Sequence, residues 1–230
     1  MKKYVIFVIS ISILLSQKVD FYNQANSRYE CAIPSVGTNW QYSQAHDVFG
    51  PGPTDAFGNA PFHSNTKPNA TNSFSTTMPT RQEGTIEMWI KSSNWMFSNQ
   101  VSTDGNFHLI FAGLSNTYPQ AICHTGEALH FSIGADRVSL TTFVLPTNTW
   151  MHVAFVWKTN AFMQIYTNEV LAASAAGPVP HGAYGYIQGN YNGGTTLGFG
   201  GWIDNPIKWV TVKTNFSDRY TPRPFPLRNY

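Results

Sequence analysis

The chain has 230 residues, a formal net charge of +2 at pH 7, 15% aromatic residues and only 11% charged residues. This length is sufficient for one large all-β domain with a single core. Because the Lys and Arg residues form no cluster, the composition excludes a nucleic-acid partner, whereas a surface of uncharged polar and aromatic side chains suits glycan contact, glycosylation or packing into an assembly.

The N-terminal segment has the layout of a signal peptide. Two lysines precede an apolar run of about twelve residues, 4–15. That run is shorter than the roughly twenty residues that a membrane-spanning helix needs. We therefore expect a secreted protein from which residues 1–16 are removed, with no transmembrane helix afterwards. The alternative is a retained signal anchor, because Leu14 is larger than the residue that a cleavage site prefers.

Export would allow the two cysteines to form a disulfide and two sequons to be glycosylated. In an oxidising compartment Cys31 and Cys123 are expected to form a disulfide, which would contribute roughly 4–5 kcal/mol by closing a long loop. The alternative is two unpaired thiols. Asn69 and Asn215 begin N-x-S/T sequons, so we expect a glycoprotein if the host is eukaryotic.

Residues 17–79 are polar and aperiodic, with Pro and Gly at 50–61 and an Asn/Ser/Thr-rich run at 65–77. These features predict an irregular N-terminal arm. Because so long a structureless stretch is unusual in a compact domain, we expect parts near 40–42 and 74–76 to supply edge strands.

Strand patterns begin at residue 84. In the run 84–92, apolar residues alternate with a second set, as in a strand that is half buried. The apolar set is Ile86, Met88 and Ile90, and the second set is Glu87, Trp89 and Lys91. Further runs bounded by turn residues predict strands at 106–113, 127–134 and 137–145. This spacing indicates an antiparallel β-sandwich.

The stretch 149–173 predicts two core strands and a tight turn. The first strand, 150–157, is largely apolar on both faces and must be covered on both. Within it, we expect His152 to be a sheet histidine with a hydrogen bond to a neighbour. The run 162–167 alternates again, and Asn168 and Glu169 occupy the place of a two-residue hairpin turn.

These motifs resemble the laminin G-like domain family, within the concanavalin A-like lectin and glucanase superfamily. The family has a strand that begins W-x-H-V-A, here 150–154, and an I-Y-x-N turn about ten residues later, here 165–168. Family members usually have Gly after that Asn. Glu169 stands there in this chain, at a cost of about 1 kcal/mol unless the turn type differs.

The resemblance extends over 84–218. The family's G-x-I-D step matches 201–204, and its closing Ser-Asp step matches 217–218, although Asn205 and Pro206 follow where a Glu is usual. It implies a jelly-roll sandwich at 80–218. The segment 219–230, with its prolines and arginines, predicts an extended exposed tail.

The superfamily includes glucanases, which cleave with glutamates spaced E-x-D-x-E on one strand face. Glu83 and Glu87 are four residues apart, but no Asp lies between them. The chain is therefore predicted not to be an enzyme, with an unrecognised carbohydrate-active enzyme as a remaining alternative.

Some relatives bind calcium, and the resemblance implies candidate ligands in loops. Calcium needs six or more oxygen ligands. The candidates are Asp55, Asn59, Asp104 and Asp204. The alternative is that each of them caps a turn.

Glycan sites present aromatic rings to sugar faces and amides to sugar hydroxyls. A Gly-rich loop and the strand after it carry such residues: Tyr184, Tyr186, Gln188, Asn190, Tyr191 and Trp202. The alternative is a connecting loop whose tyrosines pack on the sandwich. We expect a non-catalytic module that binds a glycan or a surface glycoprotein. The alternative is a self-assembling structural subunit of an extracellular coat, filament or envelope.

Overall fold

The computed structural model describes residues 19–22, 41–42, 48–63, 74–78, 81–93, 107–113, 120–124, 128–141, 145–178, 184–188 and 196–220. These ranges contain sixteen β-strands and one 3-10 turn, Asp55–Phe57. The prediction of an all-β protein is confirmed. The expected signal peptide, 1–16, and the tail beyond residue 220 lie outside the described residues.

The first sheet has eight strands. In spatial order they are β13 (Val170–Ala176), β12 (Phe162–Thr167), β11 (Met151–Lys158), β6 (Glu83–Ser92), β16 (Gly201–Trp209), β4 (Asn59–His63) and β3 (Phe49–Pro51), and β1 (Val19–Tyr22) also pairs with β16. All of its neighbouring strands are antiparallel.

The second sheet also has eight strands. Their order is β10 (Asp136–Leu140), β9 (Ala128–Ile133), β8 (Gln120–His124), β7 (Phe107–Gly113), β14 (Tyr184–Gln188), β5 (Phe74–Met78) and β2 (Gln41–Tyr42), and β15 (Thr196–Gly198) pairs with β7 in parallel. Strands are present in both regions where edge strands were expected, 40–42 and 74–76; β2 lies at the edge of the sheet, whereas β5 lies between β14 and β2. The last predicted run, 137–145, ends earlier as a strand, at Leu140.

The core lies between the two sheets. From β11, Phe155 contacts Phe111 of β7 and Phe131 of β9, with ring centroids 5.3 and 5.4 Å apart. Trp157 packs against Gly84, where an added Cβ would lie 2.6 Å from the indole ring. Burying one such ring contributes about 1.5–3 kcal/mol. The inward set of β6 (Ile86, Met88 and Ile90) joins this core, as the alternation predicted.

The outer face of the first sheet, which faces away from the second sheet, is also covered over much of its area. Residues 211–220, here called the C-terminal cover, run back across β6, β11 and β16. Phe216 of this segment is 1% exposed and packs with Ala154, Val156 and Tyr166. The prediction that β11 is covered on both faces is therefore confirmed.

The same cover makes one sequence-based prediction wrong. Glu87 and Trp89 are each only 3% exposed, so β6 is not half buried. The cause is that alternation within a strand cannot show that a segment 120 or more residues later will cover its second face. Of the predicted tail, 219–230, only Arg219 and Tyr220 are described: Arg219 is half-buried and forms an ion pair with Glu169, and Tyr220 is 53% exposed, so the exposed tail stays a prediction.

The predicted hairpin turn is confirmed at Asn168 and Glu169. Both residues have positive φ, 47° and 77°. Positive φ at both positions is the geometry of a type I′ turn, which usually takes Gly second. Glu169 adopts it without Gly, and its carboxylate accepts the ion pair from Arg219. The turn thereby fastens the C-terminal cover to the sheet.

Candidate functional site

One end of the outer face holds a group of hydrogen-bonded side chains around the buried carboxylate of Glu87, here called the buried carboxylate network: Glu87, His152, Trp209, Lys213 and Asp218, of which only Asp218 is exposed. The Lys213 ammonium donates to Glu87 Oε1 at 2.7 Å and to Asp218 Oδ1 at 2.9 Å. His152 Nε2 lies 3.0 Å from Glu87 Oε2, and Trp209 Nε1 donates to Oε1 at 2.5 Å. The hydrogen bond predicted for His152 is present, and its partner is the glutamate.

The charges of this network favour an ionised Glu87. Burial alone would raise the pKa of the carboxyl group, but the hydrogen bond from His152 and the charge of Lys213 outweigh it and hold the pKa below its usual value. Because the carboxylate is only 3% exposed, its ionised state depends on these partners.

The network encloses little free space. The cavity that Glu87, His152, Lys213 and Asp218 help to line has a volume of about 20 Å³, measured as the space open to the centre of a water molecule. This is room for about one water molecule and not for a sugar ring. Both carboxylates are engaged by Lys213 and do not flank an open cleft, as the two carboxyl groups of a glycosidase do. The network therefore holds the fold together.

The other end of the outer face is partly exposed and carries what we call the aromatic–lysine patch: Val48, Phe62, Lys91, Trp150 and Trp202. The Lys91 ammonium lies between two indole rings, 4.3 Å from the centroid of Trp202 and 5.1 Å from that of Trp150. Phe62 packs edge-on against Trp202 with centroids 4.9 Å apart. Val48 is 49% exposed, and the other four side chains are half-buried.

Strand register and one close contact position this patch. Trp202 of β16 lies between Lys91 of β6 and Phe62 of β4 in directly paired positions. A Cβ at Gly50 would lie 2.7 Å from Trp202 Nε1, so the β3 backbone touches the indole ring. Trp150 donates its indole N–H to the carbonyl of Pro51 at 3.3 Å. The rings are thus held by backbone on the β3 side.

The structure separates the predicted glycan residues. Tyr184, Tyr186 and Gln188 do not lie in a loop, as the Gly-rich sequence indicated, but form strand β14 of the second sheet. Trp202 lies on the outer face of the first sheet, because its neighbour Ile203 points into the core. Asn190 and Tyr191 lie outside the described residues. The binding role of each residue stays a prediction.

The candidate calcium ligands also differ in their surroundings. Asp55 and Asn59 are exposed, whereas Asp204 is fully buried and its Oδ1 accepts the backbone N–H of Asn205 at 2.8 Å. Asp104 lies outside the described residues. In the part of the chain that the structure describes, no three His, Cys, Asp or Glu residues are grouped so that they could hold a metal ion. The calcium site stays a prediction.

The remaining predicted residues are only partly described. Cys123 lies in β8, but Cys31 is outside the described residues, so the disulfide stays a prediction. Asn69 is also outside them. Asn215 is exposed in the C-terminal cover, and its Oδ1 accepts the backbone N–H of Ser217 at 2.9 Å. Within the described ranges, no helix has the length and apolar character needed to span a membrane.

The sequence alone did not reveal the contacts of Lys91 or of Lys213. Lys91 was placed by its strand but not linked to Trp150, which is 59 residues later in the sequence. Lys213 carried no signal that pointed to Glu87. One clue was available, since a glutamate within an otherwise well-patterned sandwich strand needs a partner if its face is covered.

A laminin G-type family model, described as the concanavalin A-like lectin/glucanases superfamily, matches residues 64–210. The match includes all of β6, β11 and β16, which carry Lys91, His152 and Trp202. No curated protein matches the chain.

Several solved structures resemble the chain. The binding domain of Paraclostridial Mosquitocidal Protein 1 gives a TM-score of 0.61 at 12% identity, over 85% of this chain and 49% of that chain. A structure of botulinum neurotoxin type C, whose cell entry depends on interaction with two ganglioside molecules, gives 0.61 at 12% over 85% and 48%. The binding domain of botulinum neurotoxin DC in complex with SialylT gives 0.55 at 11% over 76% and 43%.

The chain spans about half the length of these structures. At such low identity the likeness establishes a shared fold, and the predicted jelly-roll sandwich is confirmed. The similar structures from Paraclostridial Mosquitocidal Protein 1 and botulinum neurotoxin DC are binding domains.

Proposed function

The chain belongs to the concanavalin A-like lectin/glucanases superfamily, as a laminin G-like domain, and from this membership we propose that it is a non-catalytic module that binds glycans. We place the binding site at the aromatic–lysine patch. Two structures of similar fold support the proposal, one of a toxin whose cell entry depends on gangliosides and one of a binding domain in complex with SialylT.

The observation that carries the proposal is that the two ends of the outer face differ in solvent exposure. The C-terminal cover closes the Glu87 end, whereas Val48, Phe62, Trp150 and Trp202 remain partly exposed at the other end. Aromatic rings that are fixed and partly exposed can stack on the apolar face of a sugar at low entropic cost.

The test is a glycan array followed by calorimetry with Trp202→Ala. We expect the purified chain to bind a defined set of glycans and the variant to bind them about tenfold or more weakly, because a central Trp usually dominates such contacts. The matched control is Tyr220→Ala, which removes a ring that is 53% exposed and lies at the covered end, against Trp89. Equal affinity of Trp202→Ala and Tyr220→Ala would show that the patch is not the site.

The same assay examines the predicted tyrosine cluster. Replacing Tyr184, Tyr186 and Tyr191 with Ala leaves binding unchanged if the aromatic–lysine patch is the site. Loss of binding in that variant alone would move the site to the second sheet. Repeating the measurement with a calcium chelator tests the proposal that calcium contributes, since affinity then falls only if a bound ion holds the site.

We also propose that the module is secreted and meets its glycan on a surface glycoprotein, in keeping with the apolar N-terminal run of 4–15. Self-assembly is the alternative mode of action. Sedimentation of the native material separates the two, since a strictly monomeric species would contradict a coat or filament subunit.

A further inference from the structure

We propose that the aromatic–lysine patch selects glycans that carry a carboxylate, with Lys91 as the residue that determines this specificity. The inference rests on the proposed glycan-binding function and names the chemical class of its ligand. It follows from a comparison of Lys91 with Lys213, which lies in the C-terminal cover on the same face of the sheet.

Lys91 and Lys213 have similar aromatic surroundings. Lys213 lies 4.7 Å from the ring centroid of Trp209 and 5.0 Å from that of Phe216. Lys91 lies 4.3 Å from that of Trp202 and 5.1 Å from that of Trp150. In each case an ammonium group is placed by two rings, and the attraction of each ring for the cation is modest.

The two lysines differ in their carboxylates. Lys213 forms ion pairs with Glu87 and Asp218, at 2.7 and 2.9 Å. Lys91 forms no ion pair with any residue that the structure describes, although its side chain is half-buried. A cation that is partly removed from water and has no anionic partner is costly, and an anion that reaches it recovers part of that cost. At Lys213 the protein supplies the anion, and at Lys91 the ligand can supply it.

The environment of Lys91 is consistent with this role. Burial lowers the pKa of its ammonium group from the usual value. A carboxylate at the patch would favour the charged form and oppose that change. The rings of Trp150 and Trp202 both face the Lys91 ammonium. A single ligand can therefore contact the ammonium and the edge of an indole ring at the same time.

The geometry around the patch limits how far these groups can move. Gly50 leaves no room for a Cβ against Trp202, and the N–H of Trp150 is bound to the Pro51 carbonyl. Lys91 itself is placed by the register of β6 with β16. A preorganised cation between two rings fits a sugar with a carboxylate beside an apolar ring face, as in sialic acid or a uronic acid.

The test compares sialyllactose and a glucuronic-acid-terminated disaccharide with lactose, their neutral counterpart, on the full chain. We expect the wild-type protein to bind at least one acidic probe about tenfold or more tightly than lactose, since hydrogen bonds to charged groups are the stronger ones. Lys91→Met should remove this preference, and Lys91→Arg should keep it. The preference should also weaken as salt is raised.

Lys158→Met is the matched control. It removes one positive charge from the same sheet, at an exposed lysine that pairs with Glu83 at 3.3 Å. A preference that is lost equally in Lys91→Met and Lys158→Met would reflect net charge alone and would overturn the inference. So would equal binding of lactose and both acidic probes by the wild-type protein.

The result also separates this inference from the proposed function. Loss of binding in Trp202→Ala without any preference for acidic probes would leave the glycan site in place and refute only the role of Lys91. Binding that is insensitive to both Trp202→Ala and Lys91→Met would refute the site itself.

Discussion

The outer face of the first sheet has two ends that are built from similar parts. At one end the buried carboxylate network is closed beneath the C-terminal cover. At the other, the aromatic–lysine patch is open. Each end has a lysine between two aromatic rings, but only Lys213 is matched by carboxylates of the chain. The comparison shows how one sheet face can provide stability at one end and leave binding groups available at the other.

Removing the lysine of the buried carboxylate network should have the largest effect on the free energy of unfolding. Lys213→Met leaves Glu87 buried without its cation, and removing one partner of a buried ion pair costs about 3–5 kcal/mol. We expect the free energy of unfolding in urea to fall by that amount. Lys158→Met, which removes an exposed partner of Glu83, should change it by less than about 1 kcal/mol. Similar values for the two variants would contradict the structural role of the network.

Low pH should reduce the stability that the buried carboxylate network contributes. The pKa of Glu87 is lower in the folded protein than its unfolded value of about 4.3, so the unfolded state takes up the proton more readily. The stabilisation is therefore complete above the unfolded pKa and is lost as the pH falls through the folded pKa.

The measurement is the unfolding free energy of the wild-type protein and of Glu87→Gln from neutral pH to below pH 4. We expect a steeper acid loss in the wild type, because Gln cannot be protonated there. Glu83→Gln, at a half-buried glutamate paired with the exposed Lys158, should keep the wild-type slope. A wild-type slope in Glu87→Gln would show that other groups govern the acid loss.

The aromatic–lysine patch should tolerate the loss of its lysine. Lys91→Met removes a cation that has ring contacts but no ion pair with a described residue, and such ring contacts contribute about 0.5–1 kcal/mol. We expect the unfolding free energy to shift by no more than that, in either direction, since relief of desolvation opposes the lost contacts. A loss as large as that of Lys213→Met would mean that Lys91 is structural.

Much of the fold could be predicted from local patterns. The alternation in 84–92 and the motifs at 150–154 and 165–168 identified strands β6, β11 and β12, the hairpin turn and the sandwich. These features depend on residues that are close in sequence, where periodicity is informative. Strand β8 was missed, because its five residues, QAICH, are too few to establish a period.

The sites were harder to predict, because they depend on distant residues. Trp202 was grouped with the tyrosines of 184–191 by proximity in sequence, but β14 and β16 belong to different sheets. Its contacts in the structure are Lys91 and Phe62, which are more than 100 residues earlier. A single sequence carries no signal that links such positions.

The C-terminal cover also affects how the chain folds during its synthesis. The bond from Lys213 to Glu87 joins residues 126 positions apart. While the chain is being synthesised, strand β6 is therefore complete long before the segment that neutralises its glutamate and shields Trp89. Contacts of such long sequence separation form slowly, and exposed apolar surface promotes aggregation in the meantime. The interval before residue 213 emerges is thus the stage at which a chaperone would be most useful to this protein.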